Sequence, residues 1–127
     1  MINGVHTLIY TPDADRLRAF FRDVLGFPSV DAGHGWLIFG LPPGELAAHP
    51  AGEHENPAAG ARDTRFEMYL MCDDVEATAT ELKAKGVELS QPISDQGWGR
   101  VTAITLPGGG ELGLYEPRHP TALGLSR

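Results

Sequence analysis

The sequence predicts an α+β fold of two tandem β-α-β-β-β modules, and three repeated features predict it. First, residues 41–46 read Leu-Pro-Pro-Gly-Glu-Leu, and residues 106–112 read Leu-Pro-Gly-Gly-Gly-Glu-Leu. Second, a Gly-Trp pair precedes each turn, Gly35-Trp36 and Gly97-Trp98. Third, a short strand-like run enters an acidic helix start in each half, His6 to Tyr10 before Asp13 and Glu67 to Met71 before Asp74. The copies are offset by 61 residues at the helix starts (Asp13 to Asp74) and by 66 at the turns (Leu46 to Leu112), a drift that small turn insertions explain. A period of about 60 that fills the chain twice marks a duplicated supersecondary unit, not a solenoid.

Each element of the first half has a local reason. Val5 to Tyr10 alternates faces and is rich in β-branched and aromatic residues, so it reads as a strand. Asp13 is a good helix N-cap. Leu17, Phe20, Phe21, Val24 and Leu25 form the apolar stripe of an amphipathic helix, which Gly26 ends. Three extended runs follow, Phe27 to Asp31, Trp36 to Gly40 and Glu45 to His49. Gly33-His34-Gly35 and Pro42-Pro43-Gly44 separate them with turn chemistry.

The second half repeats the order. Phe66 to Cys72 is a strand, and Asp73 with Glu76 has the spacing of a capping box. Val75, Ala79 and Leu82 line a helix that Gly86 ends, and strands follow over Val87 to Pro92, Arg100 to Leu106 and Glu111 to Glu116. Gly108-Gly109-Gly110 precedes a strand rather than a helix, so it offers no helix N-terminus to a phosphate.

A chain of 127 residues has room for one domain, divided as module one 4–50, linker 51–64, module two 65–118 and tail 119–127. The net charge of −7 disfavours nucleic acid and anionic membrane, and suits a neutral or cationic small molecule. Cys72 is the only cysteine, which rules out a disulfide within the chain and fits a reducing, cytoplasmic setting. It ends an apolar run and reads as a small core residue. Neither a signal peptide nor a membrane span is expected.

Three stretches carry a family resemblance: Arg18 to Phe27, Cys72 to Ala77, and Leu106 to Pro117. With two β-α-β-β-β units, a His in the first strand and a Glu at the matching place in the fifth, the chain resembles the vicinal oxygen chelate superfamily over about residues 4 to 118. That superfamily includes glyoxalase I, fosfomycin-resistance, extradiol dioxygenase and bleomycin-resistance proteins. The resemblance implies two half-open, barrel-like sheets facing a cavity, and a homodimer. Metal-binding members place one ligand on each of the first, fourth, fifth and eighth strands. Carried over, these positions put His6 and Glu67 in the ligand set, with Ala47 and Gly113 at the other two places.

Ala47 and Gly113 cannot bind a metal. His49 lies two residues beyond Ala47, so it shares that strand face and would serve if the register shifts. His6, His49 and Glu67 would then form a two-His, one-carboxylate set suited to Zn, Ni, Fe or Mn. The competing reading makes His6 a hydrogen-bonded cavity histidine with Glu67 as its partner. Trp36, Trp98, Tyr69 and Tyr115 are candidates for an aromatic cavity or for the core. Glu45 and Glu111 start strands, so solvent exposure is expected. His54 stands between Glu53 and Glu55 in the linker, where a local site with His49 is a minor alternative. No Ser or Cys sits in a nucleophile context.

Two functions follow from the resemblance. One is a metal-dependent lyase, isomerase or dioxygenase on a small oxygenated substrate, with His6 and Glu67 as catalytic residues. The other is a metal-free protein that sequesters an aromatic or cationic natural product, as in drug resistance.

Overall fold

A computed structural model describes residues 6–49 and 66–125 of the chain. Val5, the linker over 51–64 with His54, and the last two residues of the tail lie outside the described residues. Helix α1 (Ala14–Ala19) starts at Asp13, whose carboxylate accepts the Arg16 N–H at 3.2 Å. It continues as a π-helical turn over Phe20–Val24, and Gly26 at φ +72° ends the run.

A short antiparallel hairpin follows, β1 (Ser29–Asp31) with β2 (Leu37–Phe39). Its turn is held by the Asp31 carboxylate, which accepts the N–H groups of Gly33 at 2.7 Å and Gly35 at 3.2 Å. Gly33, His34 and Gly35 all have positive φ there, which explains the two glycines.

The second half forms β3 (Tyr69–Met71), α2 (Val75–Ala84), β4 (Leu89–Asp95), β5 (Gly99–Thr105) and β6 (Glu111–Pro117), the predicted order. Across the sheet the order is β3-β6-β5-β4, with β3 parallel to β6 and the other pairs antiparallel. The α2 cap is Asp74, not Asp73: its carboxylate accepts the Ala77 N–H at 3.1 Å. Glu116 of β6 accepts the Val75 N–H at 3.1 Å, so sheet and helix start are tied together. β4 runs past Pro92, the expected stop, because it is an edge strand where proline's missing donor leaves no ladder bond unmade.

α2 lays Val75, Ala79 and Leu82 on one face of this sheet. There they meet Val87, Ile104, Leu106, Leu112 and Leu114, joined by Leu17 and Phe20 from the first half. Alternation along β6 sends Leu112 and Leu114 into this core and turns Gly113 and Tyr115 to the opposite face. Cys72 packs against the core, and its thiol donates to the Tyr115 carbonyl at 3.5 Å. Burial pushes that thiol up, so it is a structural cysteine rather than a nucleophile.

The first half departs from expectation. The runs His6 to Tyr10 and Glu45 to His49 are extended but form no strand, and the two sheets do not close into a barrel. A strand exists only beside another strand, and among the described residues neither segment has one. Their apolar side chains are left outside, with Leu8 at 65%, Tyr10 at 91% and Leu46 at 95% exposure.

Candidate functional site

The face of the second sheet opposite the core is built around Tyr115. Tyr69 of β3 and Trp98, just before β5, each meet the Tyr115 ring edge-on with centroids 5.6 Å apart. His119 stacks on the same ring at 6.1 Å. Tyr115 is buried, while Tyr69 and Trp98 are 41% and 49% exposed, so their rings offer free surface.

Two glycines make this cluster possible. Gly113 lies opposite Tyr69 in the β3–β6 pairing, and a Cβ there would sit 2.7 Å from Tyr69 Cγ and closer still to its ring edge. A Cβ at Gly99 would lie 2.9 Å from the Glu116 carbonyl oxygen and 3.2 Å from the Tyr115 ring. Any side chain at 113 would therefore displace the Tyr69 ring.

Trp98 is positioned by a tight turn. Asp95 accepts the Gly97 N–H at 2.9 Å, Gly97 takes φ +82°, and Gln96 donates to the Gly99 carbonyl at 2.9 Å. Arg118 pairs with Asp95 and donates its N–H to the Trp98 carbonyl at 2.8 Å. The Gly97 N–H, and after it Arg118, hold the Asp95 carboxyl below its ordinary range.

Two carboxylates meet the phenol ends. Tyr69 donates its O–H to Glu67 at 3.3 Å, and Tyr115 donates to Glu45 at 3.3 Å. Burial, and secondly these carboxylates, push both phenols above their usual value. Glu45 is the residue that the sequence misplaced. Its side chain is only 17% exposed, and it also accepts the Ala122 N–H at 2.7 Å with His119 Nε2 3.9 Å away. No strand forms over residues 45–49, so Glu45 is not a strand start facing water; the tail folds back onto it.

The remaining candidates lie elsewhere. Trp36 is 64% exposed beneath the Arg18 guanidinium, 4.6 Å from the ring, and does not join the Tyr115 cluster. His6, His49 and Glu67 are exposed, and among the described residues no three His, Cys, Asp or Glu side chains gather into a group able to hold a metal ion. At the eighth-strand position the space beside Gly113 is taken by the Tyr69 ring. The donors among the described residues, as placed, do not fit a divalent ion. Two shallow concavities occur on other surfaces, one of about 250 Å³ walled by Phe20, Val24, Val87 and Leu106, and one beside β4. Neither touches the aromatic cluster.

The profile of the Glyoxalase/Bleomycin resistance protein/Dioxygenase superfamily matches residues 5–117. The chain belongs to this family. It is 32% identical over 117 residues to the manganese-dependent 2,3-dihydroxybiphenyl 1,2-dioxygenase of Geobacillus genomosp. 3. That match takes in 87% of the chain but only 35% of the dioxygenase, so the chain spans about a third of the length of that relative. Among solved structures, TnmS3, an antibiotic-binding protein from Streptomyces sp. CB03234, aligns with TM-score 0.60 and 24% identity, covering 91% of this chain and 97% of that one. A lactoylglutathione lyase from Agrobacterium tumefaciens aligns with TM-score 0.59 and 19% identity, covering 90% and 92%. At these identities the structural matches speak for the superfamily fold.

Proposed function

We propose that this member of the glyoxalase/bleomycin-resistance/dioxygenase superfamily is a binding protein that holds a flat aromatic small molecule. The observation that carries this reading is the Tyr69–Tyr115–Trp98 cluster, with Gly113 giving its space to a ring where a metal-binding member has a carboxylate. Half-exposed rings on a rigid sheet bind planar ligands by stacking and lose little conformational freedom in doing so. The antibiotic-binding function of TnmS3, on the same fold, supports it. A cytoplasmic setting suits the lone thiol of Cys72.

The quaternary state belongs to the same proposal. A second copy would cover Leu8, Tyr10 and Leu46, complete the half-open barrel, and leave the protein a homodimer. The test of function uses Trp36→Phe protein, so that fluorescence reports Trp98. An anthraquinone dye is expected to quench it equally with and without EDTA, and Tyr69→Ala is expected to weaken that quenching. No quenching by neutral, cationic or anionic polycyclic aromatics would overturn the reading.

A second reading has one support, the likeness to the manganese-dependent dioxygenase. It makes the protein a lyase, isomerase or dioxygenase with His6, His49 and Glu67 as donors to Zn, Ni, Fe or Mn. Metal content of the purified protein beside His6→Ala decides: stoichiometric metal that His6→Ala abolishes supports the enzyme, and metal-free protein ends it.

A further inference from the structure

We infer that Glu45 is the charge-selecting residue of the aromatic site, and that the ligand it selects is an aromatic body carrying a protonated amine. The inference rests on the binding reading above and names its ligand class. A carboxylate with 17% exposure beside the Tyr115 phenol is costly unless hydrogen bonds compensate it. Glu45 has two donors, the Tyr115 O–H at 3.3 Å and the Ala122 N–H at 2.7 Å. Both are neutral. His119 donates through Nδ1 to the Pro120 carbonyl at 2.8 Å, and its Nε2 lies 3.3 Å from the Tyr115 hydroxyl, which it shares with Glu45, and 3.9 Å from Glu45 itself. Arg118 is paired with Asp95. Glu45 is therefore hydrogen-bonded, and among the described residues no Lys or Arg pairs with it.

An ammonium arriving over the Tyr115 cluster meets a favourable field on each side. The ring faces of Tyr69 and Trp98 carry negative quadrupole potential, and the chain's net charge is −7. Exchanging the Ala122 N–H for an ammonium replaces a neutral donor with a charged one, so the carboxylate's hydrogen bond becomes an ion pair as well. A neutral ligand of the same shape gains only the stacking. The residues 118–125 then act as a placeholder: Ala122 occupies the carboxylate until the amine takes it.

The experiment uses two probes of one shape, 2-naphthylmethylamine and 2-naphthylmethanol, titrated at pH 7 into the full chain by calorimetry and by amide and indole NMR shifts. The amine is expected to bind roughly tenfold tighter than the alcohol, about the worth of one charge-assisted hydrogen bond. It should shift the Trp98 indole and Ala122 amide signals. Glu45→Gln should erase the preference and leave the alcohol's affinity in place. Ala122→Pro, which lacks the competing N–H, should raise the amine's affinity alone, and it covers the case in which Glu45→Gln fails to fold. Equal affinities for amine and alcohol in the unmodified protein, or a preference that survives Glu45→Gln, would overturn the inference while the aromatic site stands. If neither probe moves the Trp98 signal, the binding reading falls and the inference with it.

Discussion

Gly113 shows how one residue carries a functional decision. In the sequence it is a position where a metal-binding relative would have a carboxylate; in the structure it is the floor under the Tyr69 ring. Gly113→Ala is expected to push that ring off Tyr115 and cost about 1–3 kcal/mol of stability, as overpacking does. Urea denaturation measures the loss and near-UV circular dichroism the ring displacement; unchanged spectra would show that Tyr69 does not lie against Gly113. The phenols make a second residue-level test. Tyr69 and Tyr115 are raised above the ordinary value of 10.0, first by burial and then by Glu67 and Glu45. A raised phenol contributes stability that is fully present below pH 10 and lost as pH climbs through the folded value. Thermal melts should thus fall above pH 10 in the unmodified protein and fall less steeply in Tyr115→Phe. The rings themselves were legible as cavity candidates from residue type. Glu45 was not, because its partner Ala122 is 77 residues away and no local pattern links them.

At the scale of elements, legibility followed the source of each element's stability. α2 and its sheet were readable because period and caps are local signals, and the core they form is drawn mostly from the second half, with Leu17 and Phe20 added from the first. The choice between Asp73 and Asp74 as cap was not readable, since both precede the same apolar stripe. Geometry selects Asp74 by its bond to Ala77 N–H. Asp74→Ala should lower stability by about 1 kcal/mol, the usual worth of a cap, while Asp73→Ala should be nearly silent; equal losses would contradict this assignment. The turn that aims Trp98 gives a pH counterpart. Asp95 is held below the ordinary carboxyl value of 3.8, first by the Gly97 N–H and then by Arg118. A depressed carboxyl contributes stability present above pH 3.8 and lost as pH falls through the folded value. Melts between pH 5 and pH 2 should be shallower in Asp95→Asn than in the unmodified protein. The strands of the first half were legible as patterns, yet pattern alone does not supply a neighbour.

That missing neighbour is a property of the whole molecule. Among its described residues the first half pairs only β1 with β2 and leaves Leu8, Tyr10, Val30 and Leu46 exposed. Phe66, before β3, is 91% exposed as well. So many large apolar side chains left in solvent invite cover by another surface, and the segments that join no sheet are candidates for further pairing. The net charge of −7 opposes open-ended association, which favours a closed pair over a filament. Light scattering after gel filtration should give about twice the 13.7 kDa chain mass at micromolar concentration. Leu46→Glu places a charge on the most exposed of these side chains, so it should shift the mass toward one chain while α2 and its sheet keep their far-ultraviolet signal. If the exposed face is an interface, the melting temperature of the unmodified protein should rise with concentration, and the same substitution should lower it and remove that dependence, because association stabilises by mass action. A single-chain mass for the unmodified protein, with a melting temperature independent of concentration, would show that the first half stands alone as an open hairpin beside the aromatic sheet.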